Sequence, residues 1–115
     1  MPHADIKYSP NLRFEPQKVF AAIEDTINAY DNAHDSGAGD CKCRSYSAKN
    51  SNHIHLLIEV SMQTKPHRNH DFTIALRDAI ETAVKVHLLQ RCYFSLSITF
   101  TDDLYLTNEH QGAAT

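Results

Sequence analysis

The chain has 115 residues, of which 42% are hydrophobic and 22% charged, so we expect one compact domain over residues 1–115. The net charge of −3 and the lack of any run of basic residues argue against nucleic acid or an anionic membrane as a partner. Apolar stretches fall far short of the roughly 20 residues of a membrane span, and the N-terminus has no basic-then-apolar signal segment, so we expect a cytoplasmic protein.

The first half of the chain, residues 1–50, predicts a strand, a helix and a second strand. In residues 2–8 every second side chain from Ala4 onward is apolar, which is the period of a half-buried strand. Residues 17–31 carry apolar side chains at helical spacing. A glycine-containing break follows, and residues 41–47 predict a second strand with weaker alternation.

The second half, residues 51–107, repeats this order. Residues 53–62 alternate regularly between apolar and polar side chains, as a strand does. A broad apolar stripe over residues 72–88 then predicts a helix, and either Asn69 or Asp71 is placed to cap its N-terminus.

The last predicted strand, residues 94–100, has the clearest alternation in the chain. Serine and threonine fill its outward face. The side chains expected to point inward are Phe94, Leu96, Ile98 and Phe100. Residues 108–115 are expected to form a frayed tail.

The two halves therefore predict an α/β domain of two tandem βαβ units. A right-handed crossover should make the two strands of each unit parallel. Together the units would form a four-stranded sheet with two helices on one face, and the polar second face would meet solvent or a partner subunit. A ferredoxin-like domain has the same element order, so the order by itself does not select one fold.

The second residue, Pro2, is a candidate general base. Removal of Met1, which precedes a small residue, would leave Pro2 with a free secondary amine. Apolar surroundings and nearby cations would lower the pKa of that amine, because both disfavour its charged form. The alternative is that Pro2 simply starts a strand, where its missing N–H costs little. A retained Met1 would turn the amine into an amide and abolish its basicity.

Three segments together resemble the 5-carboxymethyl-2-hydroxymuconate isomerase family of the tautomerase superfamily. They are the opening Met1-Pro2-His3, the following Tyr8-Ser9-Pro10-Asn11-Leu12-Arg13 and the basic strand Cys41-Lys42-Cys43-Arg44. The residues from His53 to Arg68, the second helix and the last strand are also similar. The resemblance covers roughly residues 1–107.

The resemblance implies a trimer in which Pro2 is the catalytic base and no metal or organic cofactor is needed. It implies that Lys42, Arg44 and Arg68 bind the carboxylates or the developing oxyanion of the substrate. That substrate would be an unsaturated keto or enol dicarboxylic acid such as 5-carboxymethyl-2-hydroxymuconate, from the catabolism of aromatic compounds. Two positions depart from the family pattern, since Lys42 replaces an arginine and Lys65-Pro66-His67 replaces a glycine-rich turn.

Two other interpretations stay open. One is a tautomerase-like trimer that keeps an anion pocket without efficient catalysis. The other is a ferredoxin-like ligand-binding or metal-binding module. The candidate zinc ligands in that module are His53, His55, His67, His70, Cys41 and Cys43.

Overall fold

The computed structural model describes residues 1–34 and 40–113, and these form a single four-stranded sheet with two helices. The turn-rich break predicted before the second strand falls partly on residues 35–39 and so lies outside the described residues. The elements in chain order are β1 (His3–Tyr8), α1 (Pro16–Asn32), β2 (Lys42–Ser47), β3 (His55–Gln63), α2 (His70–Lys85) and β4 (Tyr93–Thr101).

The sheet has the strand order β2-β1-β3-β4. β1 is parallel to β2, and β3 is parallel to β4, which confirms the two predicted βαβ units. The units join through the antiparallel pairing of β1 with β3, in which His3 lies opposite Ser61 and Tyr8 opposite Leu56. The start of β1 therefore lies between the start of β2 and the end of β3.

Both helices cover the same face of the sheet, as the alternation predicted. The side chains that alternate toward the helices are buried, while His3, Asp5 and Lys7 of β1 lie on the opposite, open face. The core residues are Ala4, Ile6, Leu56, Ile58, Val60 and Met62 on the sheet, and Val19, Ile23, Ile27, Leu76, Ile80 and Val84 on the helices. None of the described helices is both long and apolar enough to cross a lipid bilayer.

The structure fixes both ends of α2, for which the sequence offered two caps and a later end. Its N-cap is Asn69, whose side-chain oxygen accepts a hydrogen bond from the Phe72 N–H at 2.9 Å. The helix ends at Lys85, three residues before the predicted end at residue 88. The His87 and Leu88 N–H groups bond to carbonyls only three residues back, so the chain tightens into a turn. Within this turn Leu88 still packs against the core, as the apolar stripe predicted.

Phe100 is paired with the buried Met62 and so lies on the helix-covered face, as the alternation predicted, but its side chain is 37% exposed. Phe94, Leu96 and Ile98 are only half-buried against the core. β4 is an outer strand of the sheet, so the helices cover it less completely than they cover β1 and β3.

Candidate active site

Pro2 is buried immediately before β1. Its carbonyl oxygen accepts a hydrogen bond from the Lys42 N–H at 2.9 Å, which extends the β1–β2 ladder by one bond. Because a proline has no N–H, this carbonyl bond and the ring's packing hold the residue in place. The N-terminus is thereby fixed at the end of the sheet where β2 begins and β3 ends.

The N-terminal amine, carried by Met1, lies in surroundings that disfavour its charged form. Burial lowers its pKa below the ordinary value, and the positive charges of Lys65 and Arg68 lower it further. Lys65 follows the end of β3 and Lys42 begins β2, so the two lysines belong to the strands on either side of β1. An amine at this position has an increased neutral, proton-accepting fraction.

Arg68 is buried, and its guanidinium is bound within the protein. Its Nε and Nη2 donate to the two carboxylate oxygens of Asp31 at 3.3 and 2.7 Å. Its Nη1 donates to the Gln63 carbonyl at 2.6 Å. The side chains of Arg68 and Asp31 are 2% and 0% exposed. Arg68 is close enough to act on the amine electrostatically, while its hydrogen-bonding edge is directed at Asp31.

Asp31 receives a third hydrogen bond, from His67 Nε2 to Oδ1 at 3.0 Å. Burial by itself would raise the pKa of Asp31, but the bonds from Arg68 and His67 outweigh it and hold the pKa below its ordinary value. The His67 ring stacks on His34 at a centroid distance of 4.8 Å and meets Phe72 edge-on. The loop containing His67, which lacks the expected glycines, is thus tied to the end of α1.

Lys42 and Arg44 lie on the open face of β2, where both are exposed. The Arg44 Nε donates to Asp5 Oδ1 at 2.9 Å, across the β1–β2 pair. Its Nη2 lies 3.3 Å from His3 Nδ1. Burial lowers the pKa of His3, and the positive charges of Arg44, the N-terminus and Lys42 lower it further, which favours the neutral ring.

Tyr105 also reaches the N-terminus, and the sequence did not indicate it. Its hydroxyl donates to the Met1 carbonyl at 3.3 Å and lies 2.8 Å from His3 Nε2. Because Arg44 only donates, His3 Nδ1 accepts from it, and the neutral ring carries its proton on Nε2 and donates to the Tyr105 oxygen. A directional chain of hydrogen bonds therefore runs from Arg44 through His3 and Tyr105 to Met1.

A cleft of about 500 Å³ opens at this end of the sheet, between the ends of β3 and β4. Asp102 and Asp103 line it together with Gln63, Thr64 and Thr101. Two carboxylates make this cleft unfavourable for an anion.

The structure does not bring the candidate zinc ligands together. The Cys41 and Cys43 sulfurs are 3.8 Å apart on the side of the sheet that faces α1. His53 and His55 lie near the other end of β3, where His55 Nε2 is 2.8 Å from Ser95 Oγ. Within residues 1–34 and 40–113, no group of three or more His, Cys, Asp or Glu side chains could hold a metal ion.

We find no family model and no curated protein that match this chain. Among solved structures, it is similar to a 5-carboxymethyl-2-hydroxymuconate delta-isomerase at 15% identity, with a TM-score of 0.78 over 96% of this chain and 89% of that one. A 5-carboxymethyl-2-hydroxymuconate isomerase from Deinococcus radiodurans R1 is 16% identical, with a TM-score of 0.61 over 96% of this chain and 90% of that one.

A fused 4-OT described as a symmetric trimer is 13% identical, with a TM-score of 0.67 over 97% of this chain and 94% of that one. These three structures share the tautomerase fold. The chain therefore has the tautomerase fold that the sequence resemblance implied.

Proposed function

We propose that this protein is an isomerase that moves a proton and a double bond in an unsaturated keto or enol acid. In this proposal the Pro2 amine, exposed by removal of Met1, acts as both base and acid. The observation that carries the proposal is the position of the N-terminal amine, where burial, Lys65 and Arg68 all favour its neutral form. Removal of Met1 would shift the amine by one residue, about 3.8 Å along the chain, onto a proline held by β2.

The reaction needs a single base at one face of the substrate. The neutral Pro2 amine would remove a proton from the carbon next to a carbonyl, and the resulting ammonium would return it to another carbon of the conjugated system. Negative charge develops on the substrate oxygen between these steps, and cations that are already in place stabilise it. The chemistry requires no electron transfer, because the substrate is isomerised without net oxidation.

The basic residues have different roles in this proposal. Lys42, exposed on β2 beside the N-terminus, would bind the developing oxyanion or a carboxylate as a point charge. Arg68 is paired with Asp31, so it would act mainly through its field on the amine. Arg44 is nearer solvent and paired with Asp5, and it would orient His3 and bind anions when that pair opens. A dicarboxylate such as 5-carboxymethyl-2-hydroxymuconate is the substrate that the family resemblance suggests.

We further propose that the functional form is a homotrimer. Neither of the two described helices covers the open face of the sheet, and Tyr46 and Tyr93 on its outer strands are 49% and 69% exposed. Leu104 and Leu106, after β4, are 86% and 81% exposed. A small domain gains stability by burying such surface between subunits. Two of the similar structures are described as symmetric trimers, which supports this assembly.

A second candidate function is an anion-binding trimer without efficient turnover. The pairing of Arg68 with Asp31 favours it, because a guanidinium bound to a buried carboxylate is not free to grip a substrate. The two candidates differ in a single measurement, which is the rate of isomerisation.

The test combines mass spectrometry with kinetics. The intact mass of the purified protein should lack Met1, and ketonisation of 2-hydroxymuconate should be followed for wild type, Pro2→Ala and the control Pro10→Ala. Pro10 is an exposed proline outside the site. We expect Pro2→Ala to lower kcat/KM about 100-fold or more, as loss of a general base does, and Pro10→Ala to match wild type. A retained Met1, or equal rates in all three proteins, would exclude Pro2 as the base.

A further inference from the structure

The hydrogen-bonding edge of Arg68 is already occupied by a carboxylate. The Nε–Nη2 edge is the planar fork that an arginine offers to a substrate carboxylate, and both atoms bind Asp31. Nη1 binds the Gln63 carbonyl, so donors on both sides of the group are in use. Withdrawing Arg68 toward a ligand would leave the fully buried Asp31 carboxylate without its main partner, which is strongly unfavourable.

The charge of Arg44 is likewise compensated by a carboxylate of the protein, on the open face of the sheet. Its Nε binds Asp5, and its Nη2 lies against His3. This pair is about 40% exposed, with side-chain values of 44% and 39%, so it is weaker than the buried pair. Each of the two arginines near the N-terminus therefore has its own internal carboxylate.

The lysines are the remaining cations on the two sides of the N-terminus. Lys42 begins β2, and Lys65 follows β3. Within the part of the chain that the structure describes, neither lysine lies within ion-pair distance of a carboxylate. The site thus offers two uncompensated positive charges, both of them compact ammonium groups and not planar forks.

The reaction intermediate sets the number of cations that a substrate requires. A dienolate formed from a dicarboxylate has three anionic centres, namely two carboxylates and the enolate oxygen. A dienolate formed from a monocarboxylate has two, which match Lys42 and Lys65. We propose that Asp5 and Asp31 restrict the site to enolisable acids with a single carboxylate, a substrate class that rests on the isomerase function proposed above.

The experiment compares two dienols that differ by one carboxylate. The values of kcat/KM for 2-hydroxymuconate, with two, and 2-hydroxypentadienoate, with one, are measured for wild type, Asp5→Asn and Glu59→Gln. Asp5→Asn frees Arg44 without disturbing the core. Glu59→Gln makes the same change of charge on the same face of the sheet, but its carboxylate pairs with Lys7.

We expect wild type to prefer the monocarboxylate by about tenfold or more. Asp5→Asn should shift the ratio of kcat/KM toward the dicarboxylate by about 10- to 100-fold, the effect of one charge-assisted hydrogen bond. Glu59→Gln should leave the ratio at the wild-type value. A wild-type preference for 2-hydroxymuconate, or equal ratios in the two variants, would overturn the inference.

Binding of unreactive analogues separates this inference from the proposed function. Titrations of the protein with pentanoate and hexanedioate, followed by the chemical shifts of its backbone amides, give the two dissociation constants without turnover. Tighter binding of pentanoate supports the charge preference, and tighter binding of hexanedioate contradicts it. If neither dienol reacts while pentanoate binds tighter, the isomerase function fails and the charge preference of the site stands.

Discussion

Asp31 and Arg68 form a buried ion pair between the end of α1 and the loop before α2, with Nη2 and Oδ2 2.7 Å apart. Both side chains are almost completely shielded from water. The desolvation of two charges is compensated only when the remaining donors and acceptors are also satisfied, and here His67 and the Gln63 carbonyl complete the arrangement. The pair joins the two βαβ units on the helical side, close to the N-terminal amine.

Removing one member of this pair should destabilise the fold strongly. We expect Asp31→Asn to lower the free energy of unfolding by about 3–5 kcal/mol, because it leaves the Arg68 charge buried without compensation. Urea denaturation followed by circular dichroism measures this change. The control is Asp78→Asn, which breaks the exposed pair with Arg77 and should cost less than about 1 kcal/mol. Equal losses in the two variants would mean that the buried pair is no stronger than a surface pair.

The depressed pKa of Asp31 predicts how stability depends on pH. An aspartate whose pKa is lower in the folded state stabilises the fold above its unfolded pKa, about 3.9, and loses this contribution as the pH falls through the folded pKa. The difference in unfolding free energy between wild type and Asp31→Asn should therefore be full near pH 6 and shrink below about pH 4. Urea midpoints measured across this range test the prediction. A difference that stays constant down to pH 2 would show that Asp31 gives no pH-dependent stabilisation.

The periodicity of the sequence was sufficient to predict the helices and strands and the packing of both helices on one face of the sheet. Alternation in residues 53–62 and 94–100 located β3 and β4, and helical spacing located both helices. The exposure of Phe100 was not predictable, because alternation gives the face of a strand but not how far the helices extend over an outer strand. The face on which a side chain lies is therefore easier to predict than the degree to which the helices bury it.

The candidate site was only partly predictable. Pro2, Lys42, Arg44 and Arg68 were named from the sequence. In the structure Pro2 and Lys42 lie where β1 and β2 begin, Arg44 lies opposite Asp5 further along the pair, and the charge of Arg68 acts on the N-terminal amine. The pairing of Arg68 with Asp31 was not predictable, since the two residues are 37 positions apart. In the sequence, Asp31 fits the solvent-facing side of a helix as well as it fits a buried ion pair. Tyr105 lies 102 positions from His3, and no local pattern records such a contact.

The charge of Lys65 should control the pH dependence of activity. Only the neutral amine accepts a proton, so the rate should rise with pH through the amine pKa and then level off. Lys65→Ala removes a positive charge that lowers this pKa, which should move the rise to higher pH and reduce the rate at pH 7. The pH profiles of kcat/KM are compared with that of Lys49→Ala, an exposed lysine with the same charge. Superimposable profiles for the two variants would contradict the role of Lys65.

The phenol of Tyr105 should act directly on the N-terminal site. In the structure its hydroxyl donates to the Met1 carbonyl, and removal of Met1 would take this acceptor away. The hydroxyl would then lie next to Pro2, still accepting from His3, with a free proton to donate to an anionic substrate. We expect Tyr105→Phe to lower kcat/KM for the dienol substrate about tenfold, the effect of one lost hydrogen bond to a charged group. Tyr93→Phe, which alters an exposed tyrosine on β4, should keep the wild-type value, and an equal effect of both changes would assign Tyr105 a purely structural role.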